Sequence, residues 1–489
     1  MINFKQYISA GLVGLALILL TGCFPEDSIE WSDDGSLGIA RINGEIALVD
    51  GKNGSLTPIE KGNDKYNSSD ISADGELIAY SQTVEFESLE EALRQLPRHQ
   101  VNLIAHYAQR IRDQIERWGW GNENLDDSFL EDSPFSEDKM KIWLSRHLWE
   151  KSNREFLDKI PPDKIKNNEK KKNKKLILYQ LCVQTTDNTS MNQKTVVTSS
   201  ILPLWWLKIS PDKKHIAYLQ HNGLSNDDNP FQSDLYLAGL TEDIKTMRVA
   251  QNVAFGYAWR PDSRALAYLE NKFSMEDKEM SFGSLNSVEI ADEKGKILAS
   301  PLPDDLAQKG SIASHHCRGK YSHLAATLFH VFMKAQYNPQ GRILFAGANI
   351  DLPMSSIEEV QWSIFSFDPA TKAITDILPH TVSRQLDEWI GFFDLSPDGT
   401  KLLLPLKKHR CLVYTLGNSS DLTPIPESES FGERAGDMAP SWMGNDEFSC
   451  YVSSKSRFLK DYPHRKEGQN EVIVLGSDGK LRRVLSQSW

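Results

Sequence analysis

What the chain lacks narrows the field first. It has no excess of basic residues: 55 Lys and Arg stand against 67 Asp and Glu, for a net charge of −12. That excludes the basic surface on which general nucleic-acid binding rests. It has no phosphate-binding loop, dinucleotide fingerprint or legible catalytic-triad order, and no Gly-x-Ser-x-Gly elbow, so the common nucleotide and hydrolase signatures are missing. Cysteine is scarce, five in 489 residues, and no disulfide framework can be read from so wide a spacing. What is there is globular in composition, 40% apolar and 25% charged. The length suffices for one large domain or two to three ordinary ones.

The first residues form a distinct unit. Lys5 is the only charge before Cys23, and the apolar run Ile8 to Leu20 is broken only by Ser9, Gly11 and Gly14. Those thirteen residues fall short of the roughly twenty that span a bilayer and suit the core of an export signal. The run ends in Leu20-Thr21-Gly22-Cys23, which resembles the bacterial lipobox. That resemblance implies cleavage after Gly22 and a covalent diacylglycerol and N-acyl lipid on Cys23. Residues 1–22 are thus expected as a signal peptide and 23–27 as a lipidated tether. Losing Lys5 alone takes the net charge from −12 to −13. Phe24 is not the aspartate associated with inner-membrane retention in enteric bacteria. A lipid-anchored place in the cell envelope is expected, on the outer membrane facing the periplasm or cell surface if the cell is Gram-negative.

A turn followed by a short apolar strand then recurs. It reads Trp31-Ser32-Asp33-Asp34-Gly35 before Leu37–Ala40, and Ile71-Ser72-Ala73-Asp74-Gly75 before Leu77–Tyr80. It returns at Ile209-Ser210-Pro211-Asp212, Trp259-Arg260-Pro261-Asp262, Tyr337-Asn338-Pro339-Gln340-Gly341 and Leu395-Ser396-Pro397-Asp398-Gly399, with a worn copy at Ser441–Asp446. Proline presets φ at the turn, aspartate bonds the N–H groups beyond it, and glycine accepts positive φ. A second strand pair follows many copies, as at Glu45–Asp50 and Glu471–Leu475. Four short strands per repeat predict blades of an all-β propeller. Seven blades are expected over residues 28–488, with six or eight as the alternatives.

The Ser-Pro-Asp-Gly turn with its apolar-Ala-Tyr strand resembles the WD-like repeat of TolB-type propellers, and is similar to propellers fused to prolyl-oligopeptidase-type enzymes. Two departures limit what the resemblance implies. TolB carries an α/β domain before its propeller, whereas here the first repeat begins just after Cys23. The peptidase relatives carry a hydrolase domain, and none is expected here.

Between Tyr80 and Leu176 the strand pattern stops. Ser88-Leu89-Glu90-Glu91 has capping-box spacing, predicting a short helix to Pro97. Ile104, Ala108, Ile111, Ile115 and Trp118 then mark one helical face, and a second helix is expected from Ser136 to Ile160. Residues 86–175 are therefore predicted as a helical hairpin plus a Lys-rich linker inserted in the second blade. Trp118 and Trp120 are candidate partner anchors on it.

Two readings of function remain open. One is a non-catalytic scaffold, held on a membrane through its lipid, that binds a protein or an envelope polymer. The other is a metal-assisted polysaccharide lyase or hydrolase. It would use His315, His316, Cys317, His323 and His330, whose imidazole and thiolate groups suit zinc-like metals but whose spacing matches no known metal signature. Asn226–Asn229 with Asp234 offers oxygen ligands but lacks the glycine and final glutamate of a calcium loop, and is read as a solvated hairpin. Beyond the lipid no cofactor is expected. Cys182, Cys317, Cys411 and Cys450 are read as free thiols, Cys411 and Cys450 being the first pair to test for bonding.

Overall fold

The computed structural model describes residues 28–42, 45–61, 68–86, 94–97, 100, 176–187, 194–200, 204–221, 233–240, 246–274, 280–292, 298, 321–330, 334–348, 362–386, 393–406, 410–417, 422–424, 440–452 and 471–485. The signal segment, Cys23 and its tether, Trp118 and Trp120, the predicted long helices, and His315, His316 and Cys317 lie outside these. Among the described residues no helix is long and apolar enough to cross a membrane.

Each repeat folds into strands that pair with their neighbours in sequence. The first antiparallel sheet is β1 (Ser28–Trp31), β2 (Leu37–Ile42), β3 (Glu45–Asp50) and β4 (Leu56–Lys61). The second is β5 (Ser69–Ile71), β6 (Leu77–Phe86), β7 (Leu176–Thr185) and β8 (Thr195–Ser200). β6 and β7 pair along their whole length, from Leu77 opposite Thr185 to Phe86 opposite Leu176. The segment between them therefore leaves and re-enters at the end of one hairpin.

A seven-stranded sheet follows: β9 (Leu204–Ile209), β10 (His215–His221), β11 (Ser233–Gly239), β12 (Met247–Trp259), β13 (Ala265–Ser274), β14 (Met280–Glu289) and β15 (Tyr321–His330). Its odd width comes from β12. The first half pairs with β11 and the second half, from Val253 onward, pairs with β13. Between them Asn252 holds a positive φ of 54°, which turns the strand without ending it. One strand thus closes one four-stranded unit and opens the next.

Three more four-stranded sheets complete the chain. They are β16 (Ala335–Tyr337), β17 (Ile343–Ala348), β18 (Trp362–Phe367) and β19 (Ile374–Asp376); then β20 (Asp394–Leu395), β21 (Lys401–Leu406), β22 (Arg410–Thr415) and β23 (Leu422–Pro424); then β24 (Ser441–Trp442), β25 (Glu447–Val452), β26 (Glu471–Gly476) and β27 (Leu481–Val484). The opening strands of successive units lie side by side: β1 on β5, β5 on β9, β9 on β12, β12 on β16, β20 on β24, and β24 back on β1. Lys334, just before β16, faces Asp394 on β20 across 3.8 Å. The sheets close into a ring with their first strands innermost, which makes the fold a β-propeller.

The turns do the work the sequence assigns them. Ser32, Ser72, Ser210 and Ser396 each donate Oγ–H to the aspartate two residues on, at 2.6–2.8 Å. That carboxylate then accepts the N–H two residues further along, as from Glu76 and Thr400. Gly35, Gly75, Gly341 and Gly399 hold φ between 66° and 79°. Lys213 and Ser263 hold the same conformation at 57° and 62° without glycine's freedom. Neighbouring turns also interlock, since the Asp398 N–H donates to Asn445 Oδ1 at 2.9 Å and the Asp212 N–H to Ser263 Oγ at 2.8 Å.

Between the sheets lie apolar layers. One holds Leu403, Val413, Trp442, Phe448 and Ile473, and another Ile39, Ile46, Ile78 and Tyr80. Full burial of one such side chain stabilises by about 1.5–3 kcal/mol. The inserted segment joins this packing. Leu96 is buried in the layer between the second and third sheets. Gln100 is fully buried, donating Nε2–H to Gln220 Oε1 at 2.7 Å and accepting from Ser200 Oγ at 3.2 Å.

Candidate functional site

When the repeats are laid over one another, the residue two places before each turn's first polar residue falls on the innermost strand. These positions hold Glu30, Asp70, Lys208, Ala258, Gln336, Asp394 and Ser441. Four are charged, although inner-strand residues of a β fold are ordinarily apolar. Apart from the long β12, these strands are short and hydrogen-bonded on one side only, so these side chains converge on the axis of the ring.

The convergence is visible in the contacts. Lys208 Nζ lies 2.8 Å from Asp70 Oδ1, on the next strand, and 3.2 Å from Glu30 Oε2, two strands away. Asp70 Oδ2 accepts the Ile209 N–H at 2.7 Å. On the far side Lys334 approaches Asp394, whose Oδ2 accepts the Trp442 N–H at 3.1 Å. Lys334 also stands 5.2 Å from the Phe393 ring centroid, within range of a cation–π contact. The charges of Glu30 and Lys208 are both felt at Lys334 and Asp394, so the two groups, three acids and two bases in all, share one electrostatic environment.

Solvent reaches the members unequally. The Glu30 and Lys208 side chains are 41% and 32% exposed, but Asp70 only 8%. Burial lifts the Asp70 carboxyl to about 6 against the pull of Lys208, with the Glu30 charge adding to the lift. Burial works against the Lys208 ammonium too, but Asp70 and Glu30 outweigh it and hold it protonated. On the other side burial pulls Lys334 below the ordinary lysine range and pushes Asp394 above the ordinary aspartate range, each opposed by the other's charge.

Aromatic and small residues shape the same axis. Trp206 sits at a bulge of β9, where the register against β10 shifts between Ala217 and Leu219. It holds φ at 51°, a costly conformation for a bulky residue. Its carbonyl is fixed by the Tyr257 hydroxyl at 2.5 Å. Gly256 packs so closely on Lys334 that a Cβ there would meet the lysine's own Cβ at 1.9 Å.

The residues singled out from sequence fare differently. His323 and His330 are on β15, opposite Asn286 and Met280 respectively. Seven residues of strand hold their Cα atoms roughly 20 Å apart, so one metal ion has room for at most one of the two. Among the described residues no group of three or more His, Cys, Asp or Glu is placed to hold a metal. Asp234 is not in a solvated hairpin: it is 1% exposed and pairs with Arg248 at 3.0 Å. The axial charges were not singled out from sequence. Their signal was there, in the shared place before each repeat turn, but a single charged residue in a single copy looks like a strand's solvated face.

Comparison with known proteins adds little. No family model matches the chain, and no curated protein matches it. Among solved structures, TolB from Acinetobacter baumannii is 14% identical with a TM-score of 0.36, over 62% of this chain and 58% of that one. The matched region is thus under two thirds of TolB's length. Hydrazine synthase from Kuenenia stuttgartiensis gives 11% and 0.39 over 80% and 77%, and an acylaminoacyl peptidase from Pyrococcus horikoshii 13% and 0.35 over 63% and 41%. Likeness at that level carries no argument, and the fold rests on the strand order and the ring of inner strands.

Proposed function

We propose that this chain is a lipid-anchored protein of the cell envelope whose propeller is a non-catalytic scaffold for a protein or envelope polymer. In this reading Cys23 carries the lipid, the propeller has seven blades with β12 shared by the third and fourth, and residues 86–175 are a helical insertion in the second blade. The observation that carries the binding role is the axial cluster. Five charged side chains from the innermost segments of five units gather in two groups, Glu30 with Asp70 and Lys208, and Lys334 with Asp394. Fixed opposite charges beside a half-buried tryptophan suit recognition of a polar chain. Two of the five, Asp70 and Asp394, are occupied in holding the backbone of a neighbouring strand, which favours recognition over turnover.

The anchor and the axis are tested together by crosslinking in intact envelopes. Three forms are compared: the unaltered chain, Cys23→Ser, and the double variant Lys208→Met with Lys334→Met. The expected result is one crosslinked partner for the unaltered chain, release of Cys23→Ser from the membrane fraction, and loss of the crosslink in the double variant while it stays membrane-bound and folded. A crosslink that survives the double variant removes the axial site from the reading. A Cys23→Ser form that stays on the membrane removes the anchor.

A further inference from the structure

The two groups of axial charges differ in how far their lysines are satisfied. Lys208 is closed: its Nζ donates to Asp70 Oδ1 at 2.8 Å and to Glu30 Oε2 at 3.2 Å. Lys334 is open. Its acid, Asp394, is 3.8 Å away, too far for a hydrogen bond. Each oxygen of that carboxylate already accepts a backbone N–H, Oδ1 from Leu395 and Oδ2 from Trp442, both at 3.1 Å. The Phe393 ring, 5.2 Å from the ammonium, offers attraction but no lone pair. Among the described residues nothing accepts a hydrogen bond from Lys334 Nζ, although the side chain is only 18% exposed. A largely desolvated ammonium in that state is costly until an acceptor reaches it. A second polar group stands beside it. Gln336 lies two places along the same strand, which puts both side chains on one side while Ala335 and Tyr337 are buried on the other. Gln336 Oε1 is buried without a partner, and rotation of the amide presents Nε2–H there instead.

We propose that Lys334 and Gln336 form a carboxylate subsite, and that the scaffold's partner docks there by the C-terminal carboxylate of a peptide chain. This rests on the scaffold reading above and gives its ligand a chemical class. The ammonium supplies charge-assisted bonds to the incoming oxygens, and the Gln336 amide adds one more. A peptide is favoured over an acidic glycan by the edge beside the subsite. β16 pairs with β17 alone, so its inner edge carries backbone donors and acceptors at strand spacing, which an extended peptide matches and a sugar chain does not. A chain end is favoured over an Asp or Glu side chain because nothing then has to continue past Lys334. There β12 and β16 close up so far that a Cβ on Gly256 would meet the lysine's Cβ at 1.9 Å. Asp394 limits the affinity, since its charge stands 3.8 Å from Nζ and repels an incoming anion.

The test uses the full chain, immobilised in detergent, and two pools of random pentapeptides without Asp or Glu. One pool has free C-terminal carboxylates and the other is amidated. The chain's net charge of −12 works against the free pool, so a preference for it does not come from the surface at large. The expected result is about tenfold more retention of the free pool than of the amidated one, the worth of a hydrogen-bonded charge. Lys334→Met is expected to abolish that preference. Asp394→Asn keeps an oxygen for the Trp442 N–H and removes the opposing charge, so it is expected to raise the preference. If Lys334→Met does not fold, the unaltered chain decides: the free pool is expected to slow acetylation of Lys334, and the amidated pool to leave it unchanged. Equal retention of the two pools, or a preference that survives in folded Lys334→Met, overturns the proposal. Trigalacturonate that binds more tightly than the free pool, and loses that binding in Lys334→Met, overturns the peptide in favour of a glycan. The envelope crosslink reports on the scaffold reading separately. A crosslinked partner with no carboxylate preference overturns this inference alone, whereas a carboxylate preference with no envelope partner supports it and counts against the scaffold reading.

Discussion

Asp70 ties its own strand to the next sheet through the backbone of Ile209, whose N–H it accepts at 2.7 Å. Asp394 does the same for Trp442, one repeat position and three sheets away, so this is a device of the repeat. Its worth lies in the acceptor. Asp70→Ala leaves a buried N–H unpaired and is expected to cost about 1–3 kcal/mol. Asp70→Asn keeps an oxygen in place and gives up a desolvated charge, so it is expected to cost under about 1 kcal/mol. Urea midpoints of the two variants give the comparison, and equal losses would mean that the ion pair to Lys208 carries the stability.

Two buried groups impose opposite slopes on stability against pH. His215 is 5% exposed, with neither ring nitrogen hydrogen-bonded, 4.0 Å from the Asp212 carboxylate and 6.1 Å from the Trp259 ring. Burial lowers its pKa below the ordinary 6.5, Asp212 opposing and Lys214 assisting. As pH falls through 6.5 the unfolded chain takes the proton first, so stability present above that value is lost on acidification. Asp70, raised to about 6, acts the other way: its contribution is complete below the ordinary 3.8 and is lost as pH rises through 6. Denaturation curves from about pH 4 to 8 are expected to lose their acid-side fall in His215→Gln and their rise toward acid in Asp70→Asn. A His215→Gln curve parallel to the unaltered chain would show that the imidazole is solvated.

The turns were legible in the sequence because their chemistry is local. Serine, aspartate and glycine at fixed offsets specify a conformation without help from the rest of the chain, and Gly35, Gly75, Gly341 and Gly399 take the positive φ expected of them. The shared strand was not legible. Met247–Trp259 turns at Asn252 rather than at a glycine–proline break, so the sequence carries no punctuation where one unit passes into the next. Nor was the axial site, since Glu30 and Lys208 are 178 positions apart and become neighbours only when the ring closes. Asp234 reads as one acid in an acidic loop until Arg248 is brought beside it by the pairing of β11 with β12.

The inserted segment is part of the core where it begins. Leu96 and Gln100 pack between the second and third sheets, so removing all of 86–175 is expected to cost the propeller its own stability. Leu96→Ala is expected to lose about 2–4 kcal/mol as a buried large-to-small change. Gln100→Ala removes two buried hydrogen bonds, to Gln220 and from Ser200, and is expected to lose about 1–3 kcal/mol. Thermal unfolding of the two variants checks this, and losses near zero would return the segment to the status of an appendage.

Ring closure has its own probe in Gly54. It holds φ at 73°, and a Cβ there would lie 2.1 Å from the Leu485 carbonyl oxygen, at the meeting of the first and last sheets. Gly54→Ala adds a left-handed residue at about 1 kcal/mol and an overpacked contact at about 1–3 kcal/mol. Hydrogen exchange is expected to accelerate in β4 and β27 and not in β17 or β18. Uniform acceleration would mean that the ring opens as one unit rather than at this seam.

Trp259 and Trp442 occupy the same repeat position and make the same bond backwards to the innermost strand of the preceding four-stranded unit. Trp259 donates Nε1–H to the Lys208 carbonyl at 3.0 Å, and Trp442 to the Asp394 carbonyl at 3.2 Å. Both accepting residues are axial, so each indole fixes the height at which a charged side chain leaves its strand. Replacing either by phenylalanine keeps most of the apolar contact and removes one hydrogen bond, at an expected cost of about 1–2 kcal/mol each. The two junctions share no residue, so the double variant is expected to lose the sum within about 0.5 kcal/mol. A loss well beyond the sum would show that the two groups of axial charges are coupled, with Glu30 and Lys208, whose charges both act on Lys334 and Asp394, as the place to look for the link.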